Sequence, residues 1–327
     1  MSRKALVTGA TGGLGLALVR ALIDAGYAVT ATGRSAPNRK RLEDMGATVV
    51  IADLLTADLA ALVKEGDVVF HAAALSSPWG READFRRINV DATAALMEAA
   101  AQAGCEAFVF VSSPSVHSAF RDQTGLTEES EPPARALNAY ARTKREAERR
   151  VLNADRPSFR TVVVRPRALI GPDDRVLLPR ILGLVRRGVL PVLRNGAARI
   201  DLTDVRDAAR ALVLADIHRH AVGGQAVNIS GGRPVGILDF SLRLSAALGI
   251  EPRLVPMPMS VMRGAARAFE TIYAALPGQP EPPLTSYTLA TLAYSQTFDL
   301  TFARTRLGYE PRHDAVETAL ALARGMA

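Results

Sequence analysis

Cysteine and long hydrophobic runs are both scarce in this sequence. The only cysteine among the 327 residues is Cys105, so no internal disulfide can form, and a reducing cytoplasm is the expected compartment. No uninterrupted apolar run reaches the roughly eighteen residues that a membrane-spanning helix needs. The N-terminal MSRKALVTGA lacks the apolar segment and the cleavage site of a signal peptide. We therefore expect a cytoplasmic protein without a membrane span.

Lysine is also rare, and the positive charge is almost entirely arginine. The net charge is +7, yet the only lysines are Lys4, Lys40, Lys64 and Lys144. The arginines are scattered, and the few aromatic residues do not alternate with them as they do where nucleic-acid bases stack. We therefore expect no nucleic-acid partner and no metal, and we favour a small phosphate-bearing ligand for the local positive charge.

Strand-like and helix-like segments alternate through the first half of the chain. Strand-like runs occupy 4–8, 28–32, 48–52, 68–71, 107–112 and 160–165, and helix-like segments occupy 13–25, 89–103 and 136–153. The runs at 48–52, 68–71 and 107–112 are continuously apolar, which is typical of strands buried on both faces of a parallel sheet. The sequence therefore predicts an α/β fold with a doubly wound parallel-sheet Rossmann domain.

The character of the chain changes after Pro166, where prolines become frequent. Residues 1–165 are predicted to form this Rossmann domain, with its sheet completed by strands within 199–230. Residues 166–198 and 231–327 are predicted to form a smaller, interleaved substrate-binding domain. Within it, 259–275 reads as an amphipathic helix, which is either a lid over the pocket, the favoured role, or a membrane-surface contact. The proline-rich 278–283 reads as an ordered loop.

A glycine-rich turn follows the first strand. In VTGATGGLG, Gly9, Gly12 and Gly15 stand between a strand and an apolar helix, where glycine permits a tight turn and close backbone approach to a pyrophosphate. An ordinary strand-to-helix turn is the alternative. We expect Thr11, Gly13 and Leu14 of the same turn to contact the dinucleotide as well.

The end of the second strand bears on which dinucleotide binds. NAD sites usually carry an acidic residue there, whereas this chain has Gly33 followed by Arg34 and Ser35. A guanidinium beside an uncharged position favours a 2′-phosphate, so NADP(H) is expected over NAD(H). The alternative is that Arg34 is only a loop residue and the cofactor is NAD.

Two further strand ends are predicted to border the cofactor. Asp53, followed by Leu54, is placed either to accept a hydrogen bond from the adenine amino group or to cap the next helix. The small residues Ala72, Ala73 and Ala74 allow the backbone to pass close beneath the cofactor. His71, directly before them, is interpreted as a packed histidine.

Tyr140 and Lys144 are candidate catalytic residues. They are four residues apart in NAYARTKREAE, so they project from one face of a helix. An ammonium beside a phenol favours the phenolate, so Lys144 is expected to lower the pKa of Tyr140. Ser113, at the end of the fifth strand, is placed to hydrogen bond a substrate carbonyl, whereas Ser112 is expected to face the other side of that strand.

Taken together, these motifs resemble those of the extended short-chain dehydrogenases/reductases along essentially the whole chain. TGATGGLG is similar to the family's TGxxGxxG, SSPSV to its SSxxV and YARTK to its YxxxK; INVDAT, RPRALIGP and DLTDVRDAA follow in the family's order. The resemblance is strongest to the 3β-hydroxysteroid dehydrogenase-like branch, including bacterial 2-alkyl-3-oxoalkanoate reductases. It implies Ser113, Tyr140 and Lys144 as the catalytic residues.

The same resemblance implies how the cofactor and its neighbours are held. Lys144 would bond the nicotinamide ribose, and Pro166 and Leu169 of RPRALIGP would contact the cofactor. Asn89 would support a proton relay through water, although helix capping is the favoured role. Helices at 89–103 and 136–153 form the dimer interface in relatives, so a homodimer is expected.

The substrate side is predicted to be apolar. Candidate lining residues are Trp79, Ser115, Leu177, Met257 and Tyr287, which suggest a small carbonyl substrate such as a β-keto acid or a steroid-like ketone. The expected function is an NADPH-dependent ketoreductase or hydroxy dehydrogenase. An NAD-dependent nucleotide-sugar epimerase or dehydratase is the alternative, and a non-catalytic NADP(H)-sensing protein is less favoured.

Overall fold

The computed structural model describes residues 3–34, 38–174 and 177–325. The strands are β1 (Lys4–Thr8), β2 (Ala28–Gly33), β3 (Thr48–Ile51), β4 (Val68–His71), β5 (Ala107–Val111), β6 (Gln123–Leu126), β7 (Arg160–Pro166), β8 (Leu169–Ile170), β9 (Val189–Leu193), β10 (Arg199–Ile200), β11 (Thr203–Asp204), β12 (Gln225–Ile229), β13 (Val235–Gly236), β14 (Arg253–Met257) and β15 (Gln296–Phe298).

The α-helices are α1 (Gly13–Asp24), α2 (Arg39–Asp44), α3 (Leu59–Leu62), α4 (Glu82–Arg86), α5 (Ala92–Gln102), α6 (Ala139–Asn153), α7 (Leu178–Arg186), α8 (Val205–Ile217), α9 (Arg219–Val222), α10 (Ile237–Ala247), α11 (Met259–Ala275), α12 (Ser286–Ala293), α13 (Thr301–Leu307) and α14 (Ala315–Arg324). A π-helical turn, Arg87–Asp91, joins α4 to α5, and short 3-10 turns occupy Pro114–His117 and Arg194–Gly196.

A seven-stranded parallel sheet forms the centre of the molecule, in the order β12-β7-β5-β4-β1-β2-β3. Neighbouring residues of β1 bury on opposite faces, because side chains alternate along a strand. Val7 packs with Leu18 of α1 and Leu212 of α8, whereas Leu6 packs with Leu96 of α5 and Val151 of α6. Helices therefore cover both faces, and the predicted doubly wound Rossmann fold is confirmed.

The edge strand β3 departs from its prediction. Val50 and Ile51 are 37% and 43% exposed, so the apolar run at 48–52 is not buried on both faces. Its apolar composition reflects β-propensity at the edge of a sheet instead of burial between helix layers.

Within the described residues after β7, one strand returns to the large sheet. Within 199–230, Gln225–Ile229 pairs with Arg160–Pro166, but β10 and β11 belong to smaller sheets. The prediction that the segment from Arg199 also completes the main sheet is therefore wrong for its strands, which are only two residues long. The helix that follows, α8, does pack on the large sheet beside α1.

The remaining elements form the side of the molecule that was predicted to bind substrate. Helices α7, α10 and α14 bury Leu182, Phe240 and Leu320 in one cluster, and α11 and α12 contribute Ala266 and Leu289 to another. The division into two domains stays a prediction. None of the helices in the described ranges is long and apolar enough to cross a membrane.

Candidate active site

A cavity of about 1430 Å³ lies at the carboxyl edge of the large sheet. Such edges are where open α/β sheets bind ligands. The cavity wall includes the glycine turn and the three candidate catalytic residues Ser113, Tyr140 and Lys144. Further predicted residues on this wall are Gly9, Gly12, Gly13, Leu14, Gly15, Ala72, Ala74, Pro166, Leu169, Leu177 and Tyr287.

The glycine turn has the geometry that a bound pyrophosphate requires. Gly9 has φ +67, and a Cβ there would lie 2.7 Å from the backbone nitrogen of Ala73. A Cβ at Gly15 would overlap the Gly9 carbonyl oxygen. Helix α1 begins at Gly13 with no side-chain cap and no acidic residue in its first turn. Its first N–H groups are therefore available to an anion, and the turn fits a nicotinamide dinucleotide.

Helix α6 carries the Tyr140–Lys144 pair. The helix begins at Ala139, because the Asn138 side chain accepts a hydrogen bond from the Ala141 N–H at 2.9 Å and caps it. Tyr140 is half-buried, whereas Lys144 is only 2% exposed. The Lys144 ammonium donates to the Val111 carbonyl at 2.8 Å, which holds it against the end of β5.

The candidate catalytic serine follows the same strand. Ser113 lies just after β5, and its Oγ accepts a hydrogen bond from the Ser115 N–H at 3.2 Å. That bond uses a lone pair of Oγ, so the hydroxyl can still donate its proton to a ligand. Ser112 is also part of the cavity wall, but its hydroxyl is buried and has no hydrogen-bond partner within the described residues, so its orientation toward the other side of the strand stays a prediction.

Burial moves the pKa values of the tyrosine and the lysine in opposite directions. Burial, with the nearby Tyr287, raises the pKa of Tyr140 to about 12, although hydrogen bonding from Ser76 and Ser113 acts the other way. Burial lowers the pKa of Lys144 to about 7. The prediction that Lys144 brings the pKa of Tyr140 below its ordinary value is therefore wrong for the protein alone. Desolvation of the phenolate outweighs the attraction of the ammonium.

Two polar residues near the cavity have structural roles. Asn89 lies inside the π-helical turn, and its side chain bonds both the N–H and the carbonyl of Leu75, so the favoured capping role is wrong. His71 bonds Thr8 and Thr93, and burial lowers its pKa to about 3, which agrees with a packed histidine.

The aspartate after β3 does not cap the following helix. Asp53 accepts a hydrogen bond from the Leu55 N–H at 3.0 Å within its own loop, and the N-cap of α3 is Asp58. The capping alternative for Asp53 is therefore wrong, and its contact with adenine stays a prediction.

Several other predicted residues do not line the cavity. On the cofactor side these are Thr11, Arg34, Asp53, Leu54, Ala73 and Asn89, and on the substrate side Trp79, Ser115 and Met257. Trp79 donates from Nε1 to the Gln279 carbonyl at 3.2 Å, so it joins its loop to the proline-rich segment. Met257 packs in the cluster of α11 and α12. Ser35 lies outside the described residues.

Sequence reasoning missed two polar residues on the cavity wall. Ser76 follows β4, and its hydroxyl acts on the pKa of Tyr140. Arg167 follows β7 and is 7% exposed. Each lies just past the carboxyl end of a parallel strand, which is the signal that identified Ser113 and that could have identified both.

Cationic side chains border the outer part of the cavity. Arg41 of α2 donates to both carboxylate oxygens of Asp173 at 3.0 Å, and a Cβ at Gly13 would lie 2.8 Å from the Asp173 carbonyl oxygen. The loop after β8 thus lies over the glycine turn and is tied to α2. No cluster of three or more potential metal ligands occurs in the part of the chain that the structure describes.

This fold and this site define an enzyme that uses a nicotinamide dinucleotide to act on a CH–OH or C=O group. The family model described as the NAD dependent epimerase/dehydratase family matches residues 5–230, and the chain belongs to this family. The resemblance to extended short-chain dehydrogenases/reductases is thereby confirmed.

Individual relatives cover almost the whole chain. The 2-alkyl-3-oxoalkanoate reductase of Stenotrophomonas maltophilia is 34% identical over 318 residues, which are 94% of this chain and 95% of the relative. The 4-hydroxy-2-methyl-3-oxo-4-farnesyl-3,4-dihydroquinoline-1-oxide ketoreductase of Stigmatella aurantiaca is 32% identical and covers 94% of this chain and 92% of its own. The solved structure of MoeE5 in complex with UDP-glucose and NAD is 26% identical, with a TM-score of 0.75 and 99% of both chains covered.

Proposed function

We propose that this protein is an NADPH-dependent ketoreductase that reduces the carbonyl group of an apolar substrate. The observation that carries the proposal is that Ser113, Tyr140 and Lys144 share one cavity with the glycine turn. The names of the two similar reductases support the reaction class.

The chain's own residues supply the proton and orient the carbonyl. When bound, the nicotinamide supplies a hydride from C4 to the carbonyl carbon. Tyr140 donates its phenolic proton to the carbonyl oxygen as the C=O π bond becomes a C–O single bond, and Ser113 donates a hydrogen bond to that oxygen. The raised pKa of Tyr140 keeps the phenol protonated near neutral pH, which suits a proton donor. Lys144 holds the cofactor ribose and favours the phenolate that remains.

The preference for NADPH rests on the end of β2. Arg34 is exposed, and its side chain forms no ion pair or hydrogen bond with residues in the described ranges, so it is available to a 2′-phosphate. Gly33→Asp would place the acidic residue of an NAD site at the end of β2, but this substitution would not test cofactor preference alone. A Cβ at Gly33 would lie 2.8 Å from Thr11 Oγ1, so the Thr11 side chain within the turn would have to move. Substitution of Arg34 is the cleaner test.

The substrate class follows from the cavity wall beyond the catalytic residues. Leu177, Ile181, Leu184 and Leu292 contribute apolar surface there. Such a wall suits an alkyl chain or a fused ring system better than a sugar with many hydroxyl groups. We therefore favour a β-keto acid or a steroid-like ketone.

The proposal is tested by NADPH oxidation against a panel of β-keto acids, steroid ketones and aromatic ketones. Tyr140→Phe removes the proton donor and should abolish turnover while NADPH binding is unchanged. Tyr273→Phe removes a phenol from α11, outside the cavity wall, and serves as the matched control. Full activity of Tyr140→Phe on any ketone of the panel would show that the assigned proton donor is wrong.

A nucleotide-sugar epimerase is the second candidate, and the similar structure bound to UDP-glucose and NAD favours it. Epimerases of this fold typically retain NAD tightly. NAD released on denaturing the purified protein, together with turnover of a UDP-sugar and none of any ketone, would establish that reading instead.

We also propose a cytoplasmic homodimer. Cys105 is buried, and burial raises the pKa of its thiol to about 11, which suits an unreactive cysteine in a reducing compartment. Helices α5 and α6 lie side by side on one face of the sheet, as a paired-helix dimer interface requires. Light scattering on the eluted protein should give twice the chain mass, and a monomer mass at micromolar concentration would rule the dimer out.

A further inference from the structure

Arg167 is held firmly at the carboxyl edge of the large sheet. Its N–H donates to the Ile229 carbonyl at 2.9 Å, and its carbonyl accepts a hydrogen bond from the Thr203 hydroxyl. The next residue, Ala168, has φ 45, in the left-handed region that non-glycine residues seldom adopt. This backbone conformation is therefore imposed by the surrounding structure, and it fixes the position of Arg167 on the cavity wall.

The guanidinium of Arg167 lacks the partner that its burial demands. Arg165 provides the comparison, because both arginines are 7% exposed and they are two residues apart. Arg165 forms a two-pronged ion pair with Glu148, at 2.9 and 2.6 Å. Arg167 forms no ion pair or side-chain hydrogen bond within residues 3–34, 38–174 and 177–325, and its Nε is buried without a partner.

The nearest acidic residue does not supply that partner. Asp201 is close enough to act on Arg167 electrostatically, but the two form no ion pair. One Asp201 oxygen accepts a hydrogen bond from the Phe298 N–H at 2.8 Å instead. An unpaired buried cation is costly, so such a group commonly marks a place where a ligand brings the opposite charge.

The position of Arg167 places that charge beside the reaction centre. Tyr287 also lines the cavity, and it acts electrostatically on both Tyr140 and Arg167. Arg167 therefore lies close to Tyr287, which is itself close to the proton donor. A ligand whose carbonyl meets Tyr140 can extend an anionic group toward Arg167.

We propose that Arg167 binds a carboxylate of the substrate, so that the enzyme acts on a keto acid and the corresponding hydroxy acid in preference to neutral ketones and alcohols. This inference rests on the proposed ketoreductase function and assigns a substrate class to its site. A guanidinium presents a planar pair of N–H donors that matches a carboxylate, and the apolar wall accepts the alkyl chains.

The experiment uses the oxidation direction, because β-keto acids lose carbon dioxide in solution. The full-length enzyme is given NADP⁺ and either a 2-alkyl-3-hydroxy acid or its methyl ester, and NADPH formation is followed. Hydride passes from the carbinol carbon to the nicotinamide, and the hydroxyl proton is lost through Tyr140. The wild type should favour the acid in kcat/KM by about 100-fold, the size expected of a buried charge-assisted pair.

Two variants at Arg167 separate charge from packing. Arg167→Met should lower kcat/KM for the acid about 100-fold and leave that for the ester within about threefold. Arg167→Lys keeps the charge, so its kcat/KM for the acid should lie between those of the wild type and Arg167→Met. Arg243→Met removes the same charge from an exposed ion pair with Glu317, and it should leave kcat/KM unchanged for both the acid and the ester. The dissociation constant of NADPH, measured by calorimetry, should be the same in all of these variants.

Each contrary result has a distinct meaning. A wild type that turns over acid and ester equally, or an Arg167→Met variant that loses both equally, overturns the carboxylate site while the ketoreductase function stands. Weaker NADPH binding in Arg167→Met would assign the arginine to the cofactor and also overturn the inference. If the wild type turns over neither substrate nor any ketone of the panel, the proposed function itself fails.

Discussion

Replacing Lys144 by Met should stabilise the folded protein while abolishing turnover. The ammonium is 2% exposed, and its contacts are one backbone hydrogen bond to Val111 and the face of the Phe110 ring at 4.4 Å. These contacts do not offset its desolvation, because burial lowers the pKa of Lys144 from 10.5 to about 7. A methionine of similar length fills the same space without a charge.

The magnitude follows from that pKa. At about 1.4 kcal/mol per pH unit, the lowered pKa corresponds to roughly 5 kcal/mol of lost folding free energy when the lysine is fully protonated. The hydrogen bond and the ring contact, which the variant lacks, stabilise the wild type by about 1–3 kcal/mol and offset part of this cost. Lys144→Met should therefore be more stable than the wild type by about 2–4 kcal/mol at a pH somewhat below 7.

The pH dependence gives the sign of the effect. Below about pH 7, Lys144 is protonated in both the folded and the unfolded chain, so the full cost of burying its charge is present. Between about pH 7 and pH 10.5 the unfolded chain binds a proton that the folded chain does not, so wild-type stability rises with pH relative to the variant. The advantage of Lys144→Met should therefore shrink across this range.

Urea unfolding of both proteins at several pH values measures this difference. Lys4→Met, which removes an exposed ammonium from β1, is the control and should show a small difference at every pH. The reasoning would be refuted if Lys144→Met were less stable than the wild type near pH 6, or if its advantage grew as the pH rose.

Three further changes test the paired and unpaired charges. Arg165→Met leaves the buried Glu148 carboxylate unpaired and should cost about 3–5 kcal/mol in urea unfolding, whereas Arg167→Met should cost less than about 1 kcal/mol; equal losses would contradict the difference in pairing. Arg34→Ser should lower the NADPH-to-NADH ratio of kcat/KM by about 10- to 100-fold, and an unchanged ratio would remove the proposed 2′-phosphate contact. Asp173→Ala breaks a partly exposed ion pair over the glycine turn, so the free energy of unfolding should change by less than about 1 kcal/mol. NADPH should dissociate several-fold faster from this variant in stopped-flow displacement. An unchanged dissociation rate would show that the loop does not retain the cofactor.

The parts of the site that sequence reasoning found are those fixed by local geometry. Gly9 and Gly15 are required by a turn between adjacent elements, and Tyr140 and Lys144 share a face because of helical periodicity alone. Ser113 follows from the rule that parallel strands end at one edge of the sheet. None of these inferences depends on how distant segments pack, which is why the fold and the shared cavity followed from them.

What the sequence did not reveal depends on contacts between distant segments. The direction of the Tyr140 pKa reflects burial beside Tyr287, which arrives from α12 near the other end of the chain. Val50 and Ile51 of β3 are exposed because β3 is the outermost strand of the large sheet. The sequence RPR likewise does not reveal that Arg165 is paired and Arg167 is not, because this depends on which of the two arginines forms the ion pair with Glu148.

The buried charges of this site explain one another. Tyr140 is kept protonated and Lys144 is brought close to neutrality by the same exclusion of water, so the protein alone carries little net charge at its reaction centre. Arg167 differs from these two residues because a guanidinium does not lose its proton, so its positive charge needs a negatively charged partner. A site arranged in this way gains most from a substrate that brings a negative charge with its carbonyl, and it loses stability for as long as that substrate is absent. The same feature that makes the empty site costly would thus select a keto acid from among ketones of similar shape.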